Sequence, residues 1–127
     1  MTTSRAPLVY SALADLALVL TFVAIGRSSH QESASVFGFF TTAWPFVVGL
    51  VLGWVVARAW RSPIRVVPVG LVVWGMTLVA GIALRAITGQ GVQLSFVIVT
   101  ALVLALFLLG WRSVVRWTSR SRRLPQR

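Results

Sequence analysis

Apolar residues in this chain fall into four long runs separated by short polar or basic stretches. The runs cover about residues 7–25, 36–57, 66–87 and 94–111. Each approaches the roughly 20 residues a helix needs to cross about 30 Å of hydrocarbon. Pro7 suits the first turn of the first helix, where its missing N–H would be unpaired anyway. Between the runs lie a polar loop from Gly26 to Ser35, a basic loop from Arg58 to Arg65, and a tight turn from Thr88 to Gln93. Gly89 and Gly91 supply the flexibility that turn needs. The pattern predicts an all-α integral membrane four-helix bundle in one domain, residues 1–111, followed by an arginine-rich tail, 112–127.

Composition agrees with that reading. Hydrophobic residues make up 57% of the 127 and charged residues only 11%, too apolar for a soluble fold with a polar surface. The first run also resembles a signal peptide, with Ala24-Ile25-Gly26 as a loose cleavage site. Asp15 would interrupt the apolar core of such a peptide, and the run is long for one, so a retained span is expected. Cysteine is absent and histidine occurs once, which excludes disulfides, thiolate metal sites and multi-His sites within one chain. No metal or cofactor is expected.

The net charge is +10, and all twelve basic residues are arginine. Such charge is compatible with nucleic acid, but here it sits at the ends of apolar runs, and nucleic-acid binding is not expected. Arg5, Arg58, Arg61, Arg65 and the tail's Arg112, Arg116, Arg120, Arg122, Arg123 and Arg127 gather on one side. Arg27 and Arg85 lie on the other. The positive-inside rule then puts both termini in the cytoplasm of a multi-pass protein of the cell membrane. Arg58, Arg61, Arg65, Arg112 and Arg116 read as lipid-facing basic residues, and the tail as an anchor to anionic headgroups.

The two halves look alike. A shift of 57 superposes Phe39 on Phe96, Leu52-Gly53-Trp54 on Leu109-Gly110-Trp111, and Trp60 on Trp117, while a shift of 58 brings Arg27 onto Arg85. This is the pattern of a duplicated two-helix hairpin, although biased hydrophobic composition also produces chance matches.

Asp15 is the sharpest chemical signal. At 1.5 Å of rise per residue from Pro7 it lies roughly 12 Å into the membrane. An ionised carboxylate there costs about 2.5–3.5 kcal/mol, so it should be neutral or held by a partner. It reads either as a relay for a proton or cation, or as a structural hydrogen-bonding group between helices, capped by Trp74 at similar depth. Trp44 and Pro45 lie near the middle of the second span, where the proline should kink the helix and expose a carbonyl. Asp15, Trp44, Pro45 and Trp74 together make a candidate ion or substrate path. Arg27, His30 and Arg85 make a candidate anion site at the outer face, the plainer reading being arginines that snorkel to lipid phosphates. Glu32 is a candidate partner for either arginine. Gly49 and Gly53 permit close helix contact, either inside the bundle or across a homodimer seam, with the first favoured. Trp54, Trp60, Trp111 and Trp117 read as an aromatic belt at the cytoplasmic boundary. No hydrolase triad, zincin motif or phosphate loop occurs, and no enzyme is expected.

The combination of Asp15, Ile25-Gly26-Arg27 with His30, Ala43-Trp44-Pro45-Phe46, Gly53-Trp54, Gly81 with Arg85, Ser95-Phe96 and Gly110-Trp111-Arg112 resembles DUF3054, a family of small bacterial and archaeal membrane proteins of unknown function. The resemblance extends over nearly the whole chain. It implies four membrane helices and no activity, and it draws Asp15, Arg27, His30, Trp44, Pro45, Arg85 and Arg112 together. A looser likeness to small multidrug exporters rests only on four helices and an acid in the first span, where those proteins carry Glu. Two functions follow as expectations: permeation or transport of a small ion or solute, or a non-transporting scaffold or partner subunit.

Overall fold

A computed structural model describes residues 6–29 and 35–123, with side chains described for 6–27 and 35–118. Helix α1 is Ala6–Ser29 and α2 is Val36–Ala57. The third span opens with an irregular turn, Val66–Gly70, in which Val67 is extended, and continues as α3, Leu71–Ile87. The fourth is a rod made of α4, Leu94–Leu104, a wide π-type turn at Ala105–Leu109, and α5, Gly110–Arg123. Among the described residues, four stretches are long and apolar enough to cross a membrane: Ala6–Arg27, Val36–Ala57, Val66–Ile87 and Leu94–Thr118.

The second and third spans have the bounds expected from hydropathy. The fourth does not end at Trp111 but continues in one helix to Arg123. No glycine or proline interrupts 111–123, so nothing in the local backbone stops the helix at the edge of the apolar run. The ends of α2 are set by local chemistry. Ser35 caps its start, its hydroxyl accepting from the Gly38 N–H at 2.9 Å. Arg58, left-handed at φ 51°, ends it, and the Ala59 N–H reaches back to the Trp54 carbonyl at 3.0 Å. Gly89 and Gly91, at φ 76° and 86°, make the turn between the third and fourth spans.

Successive spans run in opposite directions, so Asp15, near the start of the first, meets residues near the ends of the second and fourth. The inward stripe of α1 is Ser11, Asp15, Val19, Phe22 and Val23, at helical spacing, and its outward face is mostly apolar around Leu13 and Ile25. The carboxylate therefore points into the bundle, while the exposed Thr21 hydroxyl donates to the Ala17 carbonyl of its own helix. The closest helix pair is α2 with the third span. A Cβ at Gly49 would stand 2.9 Å from the Thr77 carbonyl oxygen, and one at Gly53 would stand 2.9 Å from the Val73 Cα. These glycines serve contact inside the bundle, the favoured of their two readings. Gly81 makes room for the Phe46 ring, which packs edge-on against Phe22 at 5.5 Å between centroids.

Candidate functional site

Two polar regions occupy opposite ends of the bundle. At the end where the described chain begins and ends, Asp15 is completely buried and accepts four hydrogen bonds. Its Oδ1 receives Trp111 Nε1 at 2.8 Å and Arg112 Nη1 at 2.9 Å. Its Oδ2 receives Trp54 Nε1 at 2.7 Å and Arg112 Nη2 at 2.6 Å. Two carboxylate oxygens offer about four lone-pair directions, so the acceptor capacity of Asp15 is filled. Arg112 is equally buried. It also donates from Nη1 to the Leu108 carbonyl at 3.0 Å and from Nε to the Pro63 carbonyl at 2.8 Å, and it lies over the Trp111 ring at 4.7 Å. This bidentate pair joins the first span to the fourth, with the second span and the 58–65 loop tied in through Trp54 and Pro63.

The clasp corrects several expectations. Arg112 does not face lipid: it is fully buried, because the carboxylate one helix away solvates its charge better than the interface could. Arg58, Arg61, Arg65 and Arg116 are exposed. Trp54 and Trp111 are partners of Asp15 rather than members of a belt, whereas Trp60 and Trp117 are exposed. Trp74 does not cap Asp15. Its indole N–H donates instead to the Ala101 carbonyl at 3.0 Å. Trp44 is turned outward at 40% exposure, and Pro45 is buried within an unbroken α2. The structure thus does not gather Asp15, Trp44, Pro45 and Trp74 along one path.

At the opposite end, Arg27 and Arg85 line a shared cavity of about 370 Å³. Arg27 donates to the Thr42 hydroxyl at 2.8 Å, and that hydroxyl donates in turn to the Gly38 carbonyl at 3.1 Å. Arg85 reaches the Gln90 side chain and the Gly91 carbonyl, both at 3.3 Å, and stands 4.6 Å over the Phe96 ring. The lining among described residues includes these two arginines and no acid. Phe22, Phe46 and Phe96, with Val23 and Val99, form the apolar part of its wall, and Thr100 is buried against it. His30, the third member of the expected outer site, lies outside the described residues, as does Glu32. No cluster of acidic or imidazole groups among the described residues is arranged to ligate a metal.

Sequence reasoning placed Asp15, Arg27 and Arg85 but missed what holds them. A signal existed for the clasp: the repeated Leu-Gly-Trp puts an indole N–H near the same end of the second and fourth spans, and both indoles converge on Asp15. For Arg112 the hydropathy edge was misleading. The π-type turn just before it adds a residue to the helical register, which rotates everything after it by about 100°. No composition rule reports that rotation.

The profile of a family described as protein of unknown function (DUF3054) matches residues 12–115. No curated protein matches, and no solved structure matches.

Proposed function

We infer that this chain, which belongs to the DUF3054 family, binds a small anion within the membrane and serves its permeation. The observation that carries the reading is the cavity of about 370 Å³ onto which both Arg27 and Arg85 open, beside Thr42, Gln90 and Phe96. Guanidinium groups in a partly apolar recess attract an anion more strongly than they would in water. The opposite end of the bundle is closed by the Asp15–Arg112 clasp, so the arrangement resembles a solute path open at one end only. In this reading the positive-inside bias sets both termini in the cytoplasm of a cell membrane and turns the cavity outward. Exposed Arg58, Arg61, Arg65 and Arg116 then meet anionic headgroups. Four spans leave little room for a continuous pore, so passage across the membrane calls for a homodimer or for opening of the clasp. Neither nucleic-acid binding nor catalysis belongs to this reading.

A specific observation favours a second reading. Asp15 is dry and fully bonded, as a residue that only locks helices together would be. A proton-relay role for Asp15 has no support in that geometry. Anion flux into proteoliposomes separates the two. Uptake of chloride or phosphate that falls in Arg27→Gln and Arg85→Gln, with the proteins folded and equally reconstituted, is expected for permeation. Absence of flux together with absence of anion binding leaves the scaffold.

A further inference from the structure

The chain has too few acidic side chains to pair the basic groups around the clasp. There are two, Asp15 and Glu32. Asp15 is filled by Trp54, Trp111 and Arg112. Glu32 follows the far end of α1 in the chain, a helix of 24 residues or about 36 Å. Just outside the clasp, Arg65 and Arg116 line one groove of about 390 Å³. Both are exposed, and no hydrogen bond or ion pair joins either side chain to another described residue.

The clasp turns these two side chains toward the same volume. Arg112 donates from Nε to the Pro63 carbonyl at 2.8 Å, which ties the 58–65 loop to α5. Arg116 stands one turn beyond Arg112 on the same face of that helix. The loop is itself tightly wound, with the Ser62 N–H on the Ala59 carbonyl and the Arg65 N–H on the Ser62 carbonyl, both at 3.1 Å. Two guanidinium groups from separate elements are thus held together before any ligand arrives, which lowers the cost of binding one.

The rest of the groove says what kind of anion it suits. Its lining is completed by Ser62 and by the apolar Pro7, Pro63 and Ile64. Exposed Trp60 belongs to the same loop, exposed Trp117 follows Arg116, and indoles favour the level of the lipid headgroups. The abundant anion at that level is a phosphodiester, whose oxygens the planar donors of arginine match in pairs. A free phosphate would use the arginines and leave the apolar lining bare, whereas a lipid uses both.

We propose that this groove is a discrete site for one anionic phospholipid. Its phosphodiester sits between Arg65 and Arg116, and its glycerol and upper acyl chains lie on Pro7, Pro63 and Ile64. The proposal rests on the headgroup contact in the reading above and sharpens it. Arg58 and Arg61 attract anionic lipid diffusely, while Arg65 and Arg116 hold a single molecule. The site is separate from the cavity at the other end of the bundle.

The test is native mass spectrometry of the purified full-length protein in detergent, titrated with phosphatidylglycerol. One tightly retained lipid is expected, with affinity about ten-fold weaker in the double variant Arg65→Gln with Arg116→Gln, the scale of a lost hydrogen bond to a charged group. Arg58→Gln with Arg61→Gln removes the same charge and should leave retention unchanged. All four side chains are exposed, so both double variants are expected to fold, with Tm as the check. Equal losses in the two double variants would show diffuse attraction, overturning the discrete site while sparing the headgroup contact. No loss in either would place the retained lipid elsewhere and overturn the site as well. Displacement of the lipid by excess inorganic phosphate would assign the groove to a free anion. Failure to retain any phosphatidylglycerol would remove both the site and the headgroup contact.

Discussion

The two ends of the bundle use the same residue type to opposite effect. Arg112 and Arg85 are both arginines near the end of a span, and hydropathy alone treats them alike. Arg112 is completely buried and spends its planar donors on a carboxylate and two carbonyls, giving a closed joint. Arg85 is partly exposed, holds a loop through side-chain and carbonyl oxygens, and borders open volume. The difference lies in what each guanidinium meets. Asp15 neutralises one charge inside the bundle, whereas the other guanidinium meets the Gln90 and Gly91 oxygens and the face of Phe96 beside a cavity. One end is a closed joint between helices, and the other borders open volume.

Breaking the clasp tests that division most severely. Asp15→Ala leaves Arg112 buried without its carboxylate, a change that typically costs about 3–5 kcal/mol. Thermal unfolding in detergent should show a large fall in Tm, with loss of a monodisperse peak at the growth temperature. The double variant Asp15→Leu with Arg112→Met removes both charges and should regain most of that loss, since apolar replacement of a buried pair is often neutral or better. Recovery would identify the clasp as architecture. A double variant as unstable as the single one would show that the pair cannot be replaced by packing.

Gly49→Val examines the interior without touching either polar region. Its side chain would begin with a Cβ 2.9 Å from the Thr77 carbonyl oxygen, contact with backbone that cannot swing away. A loss of about 1–3 kcal/mol is expected from overpacking, read as a lowered denaturation midpoint. An unchanged midpoint would contradict the close α2–α3 contact.

Trp54→Phe and Trp111→Phe sharpen the comparison from within the clasp. Each removes one indole N–H from a different oxygen of Asp15. Each should cost about 1.5–3 kcal/mol, the range for a hydrogen bond to a charged group. Two losses of similar size would match the equivalent positions of these tryptophans in the two halves. A null effect at either would remove that indole from the set of donors that matter.

The smallest structural effect is expected at the open end. Arg27→Gln should lower Tm less than any clasp variant, because Thr42 keeps its own bond to the Gly38 carbonyl when the arginine is gone. Anion binding should nevertheless fall by about ten-fold, in keeping with loss of a charge-assisted contact. A variant that loses stability but keeps binding would reverse the roles assigned to the two ends.

Hydropathy alone determined the four membrane-length helices, because about 20 consecutive apolar residues have few other ways to satisfy their backbone. It also marked Asp15 as needing a partner, through the cost of burying a charge. The bounds of the second and third spans were legible for the same reason, as was the glycine turn between the third and fourth. Partner choice was not. Which indole meets Asp15 depends on the rotation of each helix about its axis, and in uniformly apolar spans no amphipathic stripe records that rotation. Arg112 turns inward through a π-type register shift, and Thr100 is left unbonded beside a cavity whose other walls come from distant spans. Length and burial are written locally in such a chain. The convergence of a donor on an acceptor 97 residues away is decided only when the helices pack.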